Sequence, residues 1–175
     1  MQTDLMTTEK LRLEVERLWI EHVKLCQDNF LAFVQEVWPD FICRKSTDPE
    51  KWGHHQIIAK EFTDIADQRK GRLLINMPPR HTKSEFASVY YPAWMIGKYP
   101  KLKIMQVSHN TELAARFGAK VRNIIDSKEY KQIFGDVRLR EDSKAKGRWE
   151  TSHGGEYYAA GVGSSITGRG ADLLI

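Results

Sequence analysis

Between Arg72 and Glu85 the chain runs Arg-Leu-Leu-Ile-Asn-Met-Pro-Pro-Arg-His-Thr-Lys-Ser-Glu. An apolar stretch, Leu73–Met77, leads into a tight turn, and Lys83-Ser84 then opens a run with helical spacing. That order of parts builds a phosphate site. Free backbone N–H groups at a helix start attract phosphate oxygens. A lysine there adds a point charge near the β- and γ-phosphates of a nucleotide, and a serine hydroxyl can hold Mg²⁺. Loops of this kind follow G-x-x-x-x-G-K-[ST]. Here Met77 stands at the first glycine position and Thr82 at the second. Pro78 and Pro79 stiffen the entry and carry no N–H, so donors begin at Arg80 and continue through His81 and Thr82. A threonine at 82 is tolerable only with negative φ or with its strain compensated. The positive end of a helix disfavours a cation, so Lys83 at this place points to an anion in the gap.

The surrounding pattern alternates. Residues from Thr8 to Val37 are helical, with Leu11, Val15, Leu18, Trp19 and Val23 at three- and four-residue steps. Trp38-Pro39 breaks them, and Arg44 to Lys51 is polar and turn-prone. Trp52–Ala66 is a further helix. Leu73–Met77 reads as a buried strand and Lys83–Ile96 as a helix that packs through Phe86, Val89, Tyr90 and Trp94. Leu102–Val107 is a strand, followed by a helix to Asp126 capped by Asn110 or Thr111. Ser127–Lys146 is polar and irregular. Arg148–Thr151 and Glu156–Gly161 are short strands around a Ser-His-Gly-Gly turn. A glycine-rich loop, Gly161–Gly170, leads to the apolar Asp172-Leu-Leu-Ile175. Strands alternating with helices predict an α/β fold with a mostly parallel sheet covered on both faces. The division is a helical segment over 1–70 and the core over 71–175. Ending partway into an apolar strand, the chain reads as a piece of a longer protein, incomplete at its C-terminus.

The bulk properties set limits. The 175 residues suit one domain, and the net charge of +4 is a mild excess, compatible with a polyanionic partner. No apolar run reaches the roughly 18 residues of a membrane span, and no signal-peptide order opens the chain, which makes the cytoplasm the expected compartment. The two cysteines, Cys26 and Cys43, are expected to be reduced.

Phe33…Val37-Trp38-Pro39, Trp52-Gly-His-His-Gln56, Leu74-Ile-Asn-Met-Pro-Pro-Arg-His-Thr-Lys-Ser-Glu85 and Gly168-Arg-Gly-Ala-Asp-Leu-Leu-Ile175 occur in that order. Together they resemble the N-terminal ATPase domain of the large terminase subunit of tailed bacteriophages and prophages. The resemblance runs from about Phe30 to the end. It implies a P-loop NTPase core with an extra strand between the phosphate loop (Walker A) and the acidic Walker B strand. It implies a motor that uses ATP and Mg²⁺ to drive double-stranded DNA into a capsid. The small terminase subunit and the capsid portal would be partners, and the working assembly would be a homo-oligomeric ring. A complete subunit would continue past Ile175 into the acidic pair and a nuclease domain, so this stretch is expected to hydrolyse poorly alone. Two alternatives share the residues: a helicase-like, nucleic-acid-remodelling ATPase, and a non-enzymatic prophage remnant.

On this reading Pro79, Arg80, His81, Thr82, Lys83 and Ser84 form the nucleotide loop, with Ser84 on Mg²⁺. Arg80 would reach the γ-phosphate or sense nucleotide state, with a structural salt bridge as the plain alternative. Arg169 would act as a finger in a neighbour's site, or else pair with Asp172. Trp52, His55 and Gln56 fall where related motors contact adenine, and Gln56 can pair with a base edge; helix capping explains His54-His55-Gln56 equally well. The basic residues from Arg138 to Arg148, including Arg140, Lys144 and Lys146, are the candidates for a DNA-facing loop.

Overall fold

The computed structural model describes residues 2–44, 52–164, 166 and 168–175, without the side chains of residues 2–7 and 144. The polar turn read between Arg44 and Lys51 falls on residues 45–51, outside the described residues, as do residues 165 and 167 of the glycine-rich loop. The elements are α1 (Gln2–Asp28), α2 (Phe30–Val37), α3 (His54–Ala66), α4 (Lys83–Glu85), a π-helical stretch (Phe86–Tyr90), α5 (Tyr91–Lys98), β1 (Lys103–Ser108), α6 (Thr111–Asp126), α7 (Lys128–Ile133), β2 (Leu139–Ala145), β3 (Arg148–Thr151), β4 (Glu156–Gly161) and β5 (Leu173–Leu174). The fold is α/β.

The five-stranded sheet has the order β2-β3-β4-β1-β5. β1 lies between β4 and β5 and runs parallel to both, whereas β2–β3 and β3–β4 are antiparallel. The sheet is therefore mixed, not mostly parallel. The difference comes from Ser127–Lys146, which was read as irregular and instead forms α7 and β2. Ser127 caps α7 by accepting a hydrogen bond from the Tyr130 N–H. β2 is an edge strand with a register shift between Leu139 and Lys144, and its charged residues suit an exposed edge. The proposed DNA-facing loop is thus a strand, on which Arg140 pairs with Asp142 at 2.7 Å and Glu150 at 2.6 Å.

Helices cover the sheet face that carries Ile104, Gln106 and Tyr157. Trp149 and Tyr157 stack at 4.9 Å under α6, and the Trp149 Nε1–H donates to the Gly118 carbonyl at 3.1 Å. A Cβ at Gly118 would lie 2.6 Å from the Lys146 carbonyl oxygen, which explains the glycine mid-helix. On the other face, at Glu156 and Tyr158, the covering group is Arg169 from a loop, so at this point the expected helix is replaced by a loop.

Leu73–Met77 is not a strand. Its residues alternate between half-buried and exposed, the period of an extended chain, but it has no ladder partner among the described residues. A cleft of about 830 Å³, lined by Phe62, Ile65 and Tyr91 among others, separates it from β5.

The core is aromatic. Phe30 of α2 is fully buried and meets Phe62, Phe86, Tyr91 and Trp94 edge-on at 5.3–5.7 Å. Polar tips of these rings reach backbone oxygens: Trp94 Nε1 to Cys26 at 3.0 Å and Tyr130 Oη to Ala93 at 3.0 Å, as buried amphipathic rings require. Neither cysteine is in a disulfide among the described residues. The stripe on α1 stays outside this core, with Leu11 65% and Leu18 52% exposed. Phe30→Ala is therefore expected to lower unfolding stability by about 3–5 kcal/mol, and Leu18→Ala to change it by less than about 0.5 kcal/mol. Urea denaturation of the two variants measures both.

Candidate anion-binding site

Three polar contacts place the continuous helical run Lys83–Lys98 (α4, the π-helical stretch and α5), two against the end of α3 and one against the sheet. Lys98 Nζ lies 3.2 Å from Asp67 and the Tyr99 hydroxyl donates to the Ala66 carbonyl at 2.9 Å. The ends of α3 and α5 therefore meet just before β1 begins. Further along, Gln106 of β1 donates to the Ser88 hydroxyl at 3.4 Å. The helix thus runs antiparallel to β1. Lys83, five residues before Ser88, lies about 7 Å further on at 1.5 Å per residue, toward the carboxyl edge of β1. That edge is where α/β sheets place their ligands.

The loop ahead of Lys83 is strained at two positions. Arg80 has φ 63° and Thr82 has φ 61°, ψ 1°. Both are left-handed without being glycine, at a cost of about 1–2 kcal/mol each. The condition set by the sequence was negative φ or compensation, and the compensation is visible. Thr82 Oγ1 lies 2.9 Å from His55 Nε2 and donates to the His81 carbonyl at 2.6 Å. His55 Nδ1 accepts the Arg44 backbone N–H at 3.0 Å. Accepting at Nδ1 leaves the proton of the neutral ring on Nε2, where it is donated to Thr82. His81 Nδ1 lies 2.9 Å from the Pro79 carbonyl oxygen and closes the turn.

His55 is 2% exposed. Its ring packs against Phe41 at 5.0 Å and Phe86 at 5.3 Å, which meet each other at 5.5 Å, with His54 at 4.0 Å. Desolvation pushes its pKa down to about 4, helped by His54, Arg44 and His81. It is neutral at physiological pH, which the tautomer above requires. Desolvation also lowers His54, with His81 adding.

Lys83 Nζ reaches back over the loop to the Pro78 carbonyl oxygen at 3.4 Å, a long hydrogen bond. Arg80 is exposed and has no ion pair among the described residues, so the salt-bridge alternative for it is not seen there. Ser84 is exposed beside Lys83. Glu85 is engaged by Lys120 at 2.5 Å. Among the described residues no group of three His, Cys, Asp or Glu side chains could hold a metal. A divalent ion at Ser84 would therefore take its other oxygens from phosphate and water.

Two sequence candidates stand apart. Gln56 Oε1 accepts the Gly53 N–H at 2.9 Å, the capping role. Arg169 stacks on Tyr158 at 4.2 Å and reaches Glu156 at 3.3 Å. Glu156 opens β4 beside Lys103, so Arg169 sits at the amino edge of the sheet, opposite the loop. Asp172, its suggested partner, instead accepts the Lys103 N–H at 2.8 Å. Asn110, not Thr111, caps α6 by accepting the Leu113 N–H. The tie from His55 to Thr82 was missed, although a signal existed: position 55 lies on the buried stripe with Ile58, Ala59 and Phe62.

A buried histidine with a lowered pKa makes stability depend on pH in a stated direction. Between pH 6.5 and 4 the unfolded chain takes up a proton that native His55 refuses, so stability falls as pH falls through that window. The slope is at most about 1.4 kcal/mol per pH unit from His55. Unfolding midpoints measured at pH 7, 5.5 and 4.5 are expected to drop steadily, and to drop less in His55→Gln.

No known protein family, no curated protein and no solved structure matches this chain.

Proposed function

We propose that this chain is the ATP-binding motor domain of a DNA-packaging terminase large subunit, with a P-loop NTPase core. The observation that carries the reading is the pair of left-handed residues, Arg80 and Thr82, immediately ahead of Lys83-Ser84 toward the carboxyl edge of a parallel strand pair. Glycine normally provides that backbone shape. A chain that adopts it with arginine and threonine spends conformational free energy on a loop of this form, which accords with a phosphate cradle.

In this reading the backbone N–H groups from Arg80 to Thr82 face the phosphates. Lys83 exchanges the Pro78 carbonyl for the β- and γ-phosphate oxygens. Arg80 supplies a second cation near the γ-phosphate. Ser84 holds Mg²⁺, which when bound neutralises charge on the transferred phosphoryl group. Arg169 is too far along the sheet to serve Lys83 of its own chain. As a finger it would leave Glu156 and Tyr158 and act on a neighbouring copy in a ring. Double-stranded DNA is the translocated partner, the small terminase subunit and the portal complete the assembly, and the host cytoplasm is the compartment.

The test is the affinity for Mg-ATP, measured by calorimetry on the wild type and on Lys83→Ala. Losing a charge-assisted contact is expected to weaken binding by about 10- to 100-fold. Equal and negligible affinities would overturn the proposal and favour the non-enzymatic remnant.

A further inference from the structure

We infer that His55 is the positioning residue of the loop: it takes the place of the absent glycine by holding Thr82 in the left-handed conformation. The inference rests on the nucleotide-site reading above, but its geometry stands independently. A threonine is among the residues least suited to positive φ, because its β-branched side chain crowds the backbone. Within residues 78–82 the turn is closed only by short-range contacts, His81 to the Pro79 carbonyl and Thr82 to the His81 carbonyl. The hydroxyl of Thr82 has two partners, His55 Nε2 at 2.9 Å and its own preceding carbonyl at 2.6 Å. The second is local and travels with the turn. The first comes from another element, 27 residues away in sequence.

His55 is itself fixed by several contacts. Arg44 N–H holds Nδ1, the ring packs against Phe41 and Phe86, which also touch each other, and α3 carries it on a buried stripe with Ile58 and Phe62. Phe86 also belongs to the helix that Lys83 begins, and it packs on Phe30 in the core. The hydrogen bond therefore ties the loop to a rigid body whose reference point is the helix start itself. A residue placed this way sets the direction of the Thr82 and Lys83 N–H groups without touching the ligand.

The roles can be separated by a four-protein cycle read by Mg-ATP affinity. His55→Ala is expected to weaken binding about tenfold in the wild-type background, the size of one lost hydrogen bond at a strained position. In the Thr82→Gly background it is expected to cause less than a twofold further loss, because glycine adopts positive φ without help. Where the wild type binds Mg-ATP, equal losses in both backgrounds, or no loss in the first, would overturn the inference. Thr82→Val removes the hydroxyl while keeping the shape, leaves the buried ring in place, and is expected to match His55→Ala. A ligand-free arm distinguishes failure of the nucleotide reading from failure of the clamp. Backbone NMR couplings of Thr82 report positive φ in the wild type and are expected to report negative φ in His55→Ala and Thr82→Val. If they stay positive, the clamp is wrong even where ATP binds; if they switch while no form binds ATP, the clamp stands and the nucleotide reading falls.

Discussion

The constraint on which this architecture turns is one backbone angle, the φ of 61° at Thr82. A left-handed residue just before Lys83 bends the chain from its extended approach into the helix. Without glycine that bend must be held from outside. The hold comes from α3, from the Phe41 segment that follows α2, and from Phe86 in the helix itself. Phe30 ties α3 to the helix by sitting edge-on among Phe62, Phe86, Tyr91 and Trp94, and Phe41 joins them through Phe86. The N-terminal helices are thus the buttress of the loop, whereas α6 covers the sheet. Because aromatic packing is directional and dense, a displacement of α2 or α3 would be felt at residue 82.

The sheet separates the remaining chemistry by its polarity. β1 runs from Lys103, beside Glu156, to Ser108, beside Gly161. Arg169 lies at the first end and the Lys83 helix begins toward the second. A parallel strand pair keeps these two edges apart by the length of β1, about 20 Å at 3.3 Å per residue. Arg169 is also well satisfied where it lies, with a carboxylate and a ring face as partners. Any role away from that position, such as the proposed finger in a neighbouring copy, requires both contacts to be released.

Much of this was legible in the residues, and the failures have physical causes. The β3–β4 hairpin was readable because period-two patterning flanks a Gly154-Gly155 turn. The helix of Phe86, Val89, Tyr90 and Trp94 was readable from its spacing, and all four are buried. β2 was not, because an edge strand with Arg140, Glu141 and Asp142 has the composition of a loop. Leu73–Met77 failed in the opposite direction: its composition is that of a strand, but strand structure needs a partner and this stretch faces a cleft. The apolar stripe of α1 showed the period of a packed helix and lies exposed, since periodicity reports which face could pack and not what it meets. At the site, Lys83 and Ser84 were visible as types, whereas the left-handed angles were hidden by the absence of glycine. His55 resembled a cap because it opens a helix, and only its place on the buried stripe spoke against that.

The electrostatics of the loop point the same way as its backbone. A lysine at the positive end of a helix is unfavourable by itself, and Lys83 finds only a carbonyl at 3.4 Å. The nearest acid on its own helix, Glu85, is committed to Lys120 at 2.5 Å on α6. Arg80 has no ion pair among the described residues to offset it, and it is carried on strained backbone that keeps it beside the turn. His54, His55 and His81 lie close by, and desolvation keeps His55 neutral, so the clamp adds no charge of its own. Lys83 and Arg80 thus have no acidic partner among the described residues, and the nearby Glu85 is drawn off to Lys120. In a stable fold such an imbalance is normally relieved by pairing, and the nucleotide proposed for the turn would supply that counter-charge.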